Sequence, residues 1–133
     1  VYATPAQHWS KRWAFGDDFA TLWCSWALVT PRGRRVWFGG DTGYCSAFAE
    51  IGAHLGPFDI ALIPIGAYEP RAYMRAQHVS PDDAVRIHRD IGARRSLGVH
   101  WGTFVLTAED PLRAAPRRLD AARAAAGVHH RPP

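Results

Sequence analysis

The stretch Phe38-Gly39-Gly40-Asp41-Thr42-Gly43-Tyr44 ends an apolar run, Arg35-Val36-Trp37-Phe38, with three glycines around one carboxylate. We interpret the run as a buried strand, because a short apolar run that stops at turn residues is typical of one. Glycine allows the backbone to turn sharply and to approach another group closely. The carboxylate of Asp41 then follows the carboxyl end of a strand, where open α/β sheets bind their ligands. The alternative is a capping role for Asp41 at a turn into a helix.

Patterns on both sides of this stretch predict one domain of the α/β class. Upstream, two apolar runs around the turn Pro31-Arg32-Gly33-Arg34 predict a β-hairpin. Downstream, helical spacing alternates with continuous apolar runs, which predicts helices packed on a mixed β-sheet. The predicted strands are residues 1–5, 22–30, 35–39, 59–65 and 97–99, the predicted helices are residues 46–55, 80–91 and 111–126, and residues 66–79 are a predicted loop.

Composition argues against several classes of protein. The sequence has no apolar run close to the roughly 20 residues of a membrane helix, and it shows no secretory leader. It begins with Val1 rather than Met, so we expect a processed chain or a part of a longer one. Cys24 and Cys45 are predicted to be free thiols, as is usual in a reducing cell. A cytoplasmic location is therefore expected.

The charge of the chain is basic but scattered. The sequence has 16 basic and 12 acidic residues, and every basic residue except Lys11 is arginine. Without a recognition module this excess indicates a solvated surface, and no nucleic-acid partner is expected. Arginine suits phosphate groups, so an anionic or phosphate-ester substrate is compatible with the composition. Peripheral contact with an anionic membrane is compatible with it as well.

Three of the seven histidines share the placement of Asp41. His8, His78 and His100 each lie at the end of a predicted strand or in a loop that leaves one. The other four lie in predicted helices or in the tail: His54, His88, His129 and His130. Imidazole and carboxylate are ligands that zinc prefers where it keeps an open position. The pattern is compatible with a metal site at one sheet edge, but no local motif, such as two histidines four residues apart, supports it. The alternative for each histidine taken singly is an ordinary hydrogen bond.

Five segments, in order along the chain, carry a resemblance to a known family. They are Gln7-His8-Trp9, Gly39-Gly40-Asp41-Thr42-Gly43-Tyr44, Pro64-Ile65-Gly66-Ala67-Tyr68-Glu69-Pro70-Arg71, Gln77-His78-Val79 and His100-Trp101-Gly102-Thr103. Together they resemble the carboxyl-terminal half of the N-acyl-phosphatidylethanolamine-hydrolysing phospholipase D group, which has the metallo-β-lactamase fold. The likeness covers residues 1–127 and leaves an irregular tail, residues 128–133. It implies half of an αββα sandwich, a mixed sheet with helices packed on one face.

The resemblance also implies a hydrolase site with two zinc ions. His8 would ligate the first ion and His100 the second, and Asp41 would bridge them, since a carboxylate has two oxygens. The ions would lower the pKa of the water between them, and this water would attack a phosphodiester. Asp41 and His78 would then be catalytic residues. His78 would contact the phosphate or assist the leaving group, and Gln77 is a weaker candidate for substrate binding.

The sequence departs from the family pattern in ways that predict an incomplete site. The family carries a His-x-His-x-Asp-His motif in its amino-terminal half and a strand after its last helix, and neither is found in this sequence. His8, Asp41 and His100 alone offer too few ligands for tight binding. We therefore expect reduced or no zinc occupancy and an inactive isolated chain. The expected partners are the missing amino-terminal half, or another chain that supplies it, and a phospholipid or other phosphodiester substrate.

Three functions remain open from the sequence. The first is a zinc-dependent phosphodiesterase of the phospholipase D type, completed by a further segment. The second is another hydrolase of the same fold that acts on a soluble phosphodiester or a lactone. The third is a non-catalytic remnant that serves as an interaction module, because a half-sandwich exposes one face of its sheet and such a face binds something.

Overall fold

A computed structural model of the protein describes residues 1–107 and 112–128. Within these residues one mixed sheet contains five strands in sequence order. The strands are β1 (Tyr2–Thr4), β2 (Ser25–Val29), β3 (Arg35–Phe38), β4 (Ile60–Pro64) and β5 (Ser96–Val99). The helices are α1 (Ala47–Leu55), α2 (Arg71–Met74), α3 (Pro81–Asp90) and α4 (Ala114–Ala125). None of the described helices has both the length and the apolar character needed to cross a bilayer.

The direction of the strands brings four chain segments to one edge of the sheet. β1 pairs antiparallel with β2, and β2 pairs antiparallel with β3, so β1 and β3 run in the same direction. β3, β4 and β5 are parallel neighbours. The carboxyl ends of β1, β3, β4 and β5 therefore lie at the same edge, which is where sheets of this kind bind their ligands.

The helices pack on one face of the sheet, which confirms the predicted α/β layering. Side chains alternate between the two faces of a strand. Trp37 and Ala61 point to the helical face, where they join Phe48 of α1 and Ile87 of α3 in one buried apolar cluster. α3 begins at a capping box, in which the side chains of Ser80 and Asp83 each bond the backbone of the other.

The opposite face of the sheet is apolar and exposed. The register places Trp26 beside Phe38, Phe38 beside Leu62, and Leu62 beside Leu97, so that these side chains form one row across the strands. Trp26 is 43% exposed and Leu97 is 55% exposed, and Leu28 lies on the same face at the next alternate position of β2. We call Trp26, Leu28, Phe38, Leu62 and Leu97 the open sheet face. It is a contiguous apolar patch of the kind that marks an interface.

The structure corrects the prediction that residues 66–79 form a loop throughout, because the short helix α2 lies within them. Pro70 is at the N-cap of α2, and the side chain of Glu69 accepts a hydrogen bond from the backbone N–H of Arg71. Such local capping starts a turn without any apolar periodicity to announce it. The second strand begins at Ser25 rather than at residue 22, and the last helix begins at Ala114. The predicted start of that helix at residue 111, and the tail with His129 and His130, lie outside the described residues.

Candidate metal centre

Four segments place His8, Asp41, His78 and His100 together at the carboxyl edge of the sheet. His8 follows β1, Asp41 follows β3 and His100 follows β5, while His78 lies in the segment between α2 and α3. The rings of His8 and His78 meet edge to face with centroids 5.5 Å apart. The rings of His78 and His100 are stacked 5.4 Å apart, and Nε2 of His100 is 3.4 Å from Oδ1 of Asp41. These four of the five predicted site residues are therefore neighbours, and their roles stay predictions.

Three of these side chains have the geometry of a metal-binding group. His8, Asp41 and His78 each offer one ligand atom, and the three atoms lie within 4.8 Å of one another. The resemblance assigns His78 to the substrate rather than to a metal, so its place among the ligand atoms is a difference from that expectation. His100 adjoins the group through Asp41. Three protein ligands with an open position are the usual set of a catalytic zinc site.

The chemistry of His8 fits a metal ligand. Nδ1 of His8 lies 2.8 Å from the carbonyl oxygen of Trp9, and since a carbonyl only accepts, Nδ1 carries the proton. The other ring nitrogen, Nε2, then has a free lone pair. Within the part of the chain that the structure describes, this Nε2 is buried and has no hydrogen-bond partner. Metal-bound histidines are oriented in this way, with one nitrogen bonded to a backbone carbonyl and the other on the ion.

The electrostatics keep the carboxylate of the cluster ionised. The hydrogen bond from His100 lowers the pKa of Asp41, and the nearby imidazoles of His78 and His8 act in the same direction, while partial burial opposes them. The same pairing with Asp41 raises the pKa of His100. Asp41 is therefore a charged carboxylate at neutral pH, which is the kind of oxygen donor that divalent cations such as magnesium, calcium and manganese prefer.

Close backbone contacts fix the loop that carries His100. His100 has a φ of 58°, a left-handed conformation that residues with a side chain rarely adopt. The carbonyl oxygen of His100 lies so near Gly66, after β4, that a Cβ added at Gly66 would be 2.2 Å from it. Only glycine permits this approach. Strained backbone held by its surroundings is common at functional sites.

Arg71 holds the segment that carries His78, and sequence reasoning did not single it out. One guanidinium nitrogen donates to the carbonyl oxygen of His78 at 2.7 Å, and the other pairs with Asp83 of the α3 capping box at 2.8 Å. The signal in the sequence is weak, because an arginine in a polar segment looks like any surface cation. Gln77, the other predicted substrate-binding residue, is half-buried beside His78.

An apolar recess of about 290 Å³ opens next to His100. Its wall includes Ala67, Trp101, Phe104 and Leu106, together with the polar side chains of His100, Thr103 and Thr107. Phe104 and Leu106 are largely exposed, so the recess continues into an apolar surface. A concave, mostly apolar surface with a few polar groups is the form of many ligand pockets.

Comparison with known proteins gives a consistent set of relatives. The family model described as "Beta-lactamase superfamily domain" matches residues 1–101, which include all four clustered side chains. The chain is 49% identical over 105 residues to "N-acyl-phosphatidylethanolamine-hydrolyzing phospholipase D 1" of Caenorhabditis elegans, covering 78% of this chain and 29% of that protein.

Two further relatives extend this set. "Outer membrane protein RomA" of Klebsiella pneumoniae is 34% identical over 102 residues, 77% of this chain and 74% of that protein. "UPF0173 metal-dependent hydrolase lin1612" of Listeria innocua is 34% identical over 84 residues, 63% of this chain and 33% of that protein. The chain thus spans a third or less of the lengths of the nematode and Listeria relatives.

Proposed function

The chain belongs to the β-lactamase superfamily, and we propose that it is the carboxyl-terminal part of a zinc-dependent phosphodiesterase of the phospholipase D type. The observation that carries this proposal is the cluster of His8, Asp41 and His78, whose ligand atoms lie within 4.8 Å of one another. The proposal is also supported by Nε2 of His8, which is buried and has no hydrogen-bond partner among the described residues. The similarity to the nematode phospholipase supports the reaction class.

The residues of the cluster have different proposed roles. His8, Asp41 and His78 would hold one ion, and His100 lies where, through Asp41, it can serve a second. Bound zinc supplies Lewis acidity and lowers the pKa of water, which is the chemistry that phosphodiester hydrolysis needs. The pKa of Asp41 is lowered, so its carboxylate is ionised at neutral pH. Gln77 is the proposed contact for the phosphate, since His78 is here assigned to the ion.

The apolar recess favours a phospholipid over a soluble diester as substrate. It begins at His100 and is lined by Trp101, Phe104 and Leu106, so a substrate phosphate at the cluster would have an apolar surface beside it. Burial of an alkyl chain there would contribute about 25 cal/mol per Å² of apolar area. The proposal includes peripheral contact with a membrane, because a phospholipid substrate is located there.

Reconstitution tests the proposed activity. The chain is combined with zinc and a polypeptide that carries the family's amino-terminal His-x-His-x-Asp-His motif, and the chain alone is the control. We expect turnover of N-acyl-phosphatidylethanolamine in mixed micelles only by the combination. Hydrolysis of bis(4-nitrophenyl) phosphate but not of the lipid would contradict the substrate class. No hydrolysis of either, with zinc bound, would favour the interaction module instead.

The open sheet face is where the proposed amino-terminal half would dock. We expect Trp26→Lys to weaken association with that half by about 30-fold or more, since buried tryptophans at the centre of an interface contribute about 2 kcal/mol or more. Phe15→Lys, at a 92% exposed position outside the sheet, is the matched control. Titration calorimetry measures both. Equal affinities of the two variants would show that this face is not the interface.

A further inference from the structure

One fully buried side chain, Thr42, lies where three ligand-bearing segments meet. Its Oγ1 accepts a hydrogen bond from the backbone N–H of Gln7 at 2.9 Å and donates one to the carbonyl oxygen of Gly43 at 2.7 Å. Its own carbonyl oxygen accepts a hydrogen bond from the N–H of Val79 at 2.8 Å. A single residue therefore joins the segments after β1 and β3 and the segment before α3.

The bonds to Gln7 and Val79 each end one residue away from a proposed metal ligand, and Thr42 itself is next to a third. Gln7 precedes His8, Thr42 follows Asp41, and Val79 follows His78. A hydrogen bond at Thr42 therefore restrains the position of a ligand residue through one peptide unit, which is rigid. Replacing a group that orients a metal ligand typically lowers metal affinity about 10- to 100-fold.

The backbone around Thr42 reinforces this connection. The N–H of Gly43 donates to the carbonyl oxygen of Gln7 at 2.7 Å, and Nε2 of Gln7 donates to the carbonyl oxygen of Ala76 at 3.0 Å. A Cβ added at Gly43 would lie 2.6 Å from the oxygen of Ala76, so the segments are in direct backbone contact. A shift of the Gln7 segment would therefore move His8 relative to both Asp41 and His78.

We propose that Thr42 is a positioning residue whose hydroxyl sets the position of His8 relative to Asp41 and His78. The inference rests on the metal site proposed above. Replacing the hydroxyl by a methyl group leaves the partly buried N–H of Gln7 without its acceptor, and the Gln7 segment has to move to satisfy it, while the bond between the Thr42 carbonyl and Val79 is kept. Thr42 touches no substrate and acts only through its neighbours.

The test compares three variants of the full chain with zinc alone as the probe. Thr42→Val removes the hydroxyl at nearly constant shape, Thr42→Ser keeps it, and Thr4→Val removes a different buried hydroxyl, which pairs with Ser25 at 2.7 Å. Zinc affinity is measured at fixed pH by competition with a chromophoric chelator. We expect Thr42→Val to weaken zinc binding about 10- to 100-fold. Thr42→Ser should restore it, and Thr4→Val should lower stability without changing the affinity.

Other outcomes separate the two proposals. Zinc affinity of folded Thr42→Val equal to that of Thr4→Val would overturn the positioning role alone. Should Thr42→Val not fold, Thr42→Ala carries the same expectation, and failure of both where Thr4→Val folds would assign Thr42 a merely structural role. No zinc binding by the unmodified chain, either alone or combined with the amino-terminal half, and with His8→Ala indistinguishable from it, would remove the metal site and this inference together.

Discussion

Asp41→Asn should abolish zinc binding at the cluster and, with it, hydrolysis by the completed enzyme. The amide has the shape of the carboxylate but neither its charge nor its second ligand oxygen. We expect the zinc affinity to fall by more than about 100-fold, because loss of an outer-shell partner alone costs about 10- to 100-fold. Chelator competition measures the affinity, and the reconstituted assay measures the turnover.

Asp59→Asn is the matched control for this substitution. The pKa of the Asp59 carboxylate is also lowered, because it accepts a hydrogen bond from the backbone N–H of Arg35 and lies near the guanidinium groups of Arg34 and Arg94. Asp59 immediately precedes β4, at the end of that strand opposite the carboxyl edge of the sheet. Its substitution should leave zinc affinity unchanged. An Asp41→Asn protein that binds zinc as tightly as Asp59→Asn does would exclude Asp41 as a ligand.

Phe48→Ala should lower the free energy of unfolding by about 3–5 kcal/mol, the usual cost of removing a buried aromatic ring. Phe48 is fully buried and packs edge to face against Trp37, with ring centroids 5.6 Å apart, and against Tyr44 at 5.8 Å. The loss is a large part of the roughly 5–15 kcal/mol that stabilises a typical domain. Urea unfolding followed by tryptophan fluorescence measures it.

Phe15→Ala provides the control for the packing effect. Phe15 is 92% exposed, so its removal should change the free energy of unfolding by no more than about 0.5 kcal/mol. A Phe48→Ala protein whose unfolding free energy matches that of Phe15→Ala would mean that the cluster around Trp37 is not the core of this fold.

The location of the site could be predicted from the sequence, because it depends on strand direction and little else. Asp41 and His100 follow predicted strands, and the carboxyl ends of parallel strands share an edge. The capped start of α3 at Ser80 is equally visible, since its serine, proline and aspartates act within one turn. These features are determined by residues close together in the sequence, so they do not depend on contacts between distant segments.

The details of the site could not be predicted, because they depend on contacts between distant segments. The sequence predicted that His78 lies at the same edge as His8 and Asp41, but not that its ring joins their side chains as a ligand group. That arrangement depends on the conformation of the segment that contains α2, a helix too short to show a period. The complete burial of Thr42 is a second example. A threonine in a glycine-rich turn is expected to be exposed, and only the contact with the distant Gln7 segment buries it.

The central claim is that His8, Asp41 and His78 bind one ion at the carboxyl edge of the sheet. Anomalous X-ray diffraction from zinc-soaked crystals of the chain, recorded on both sides of the zinc absorption edge, tests it most directly. The account predicts a peak within coordination distance of Nε2 of His8, a carboxylate oxygen of Asp41 and the ring of His78. A zinc peak elsewhere, for example at His54 or His88, with none at this cluster, would contradict it.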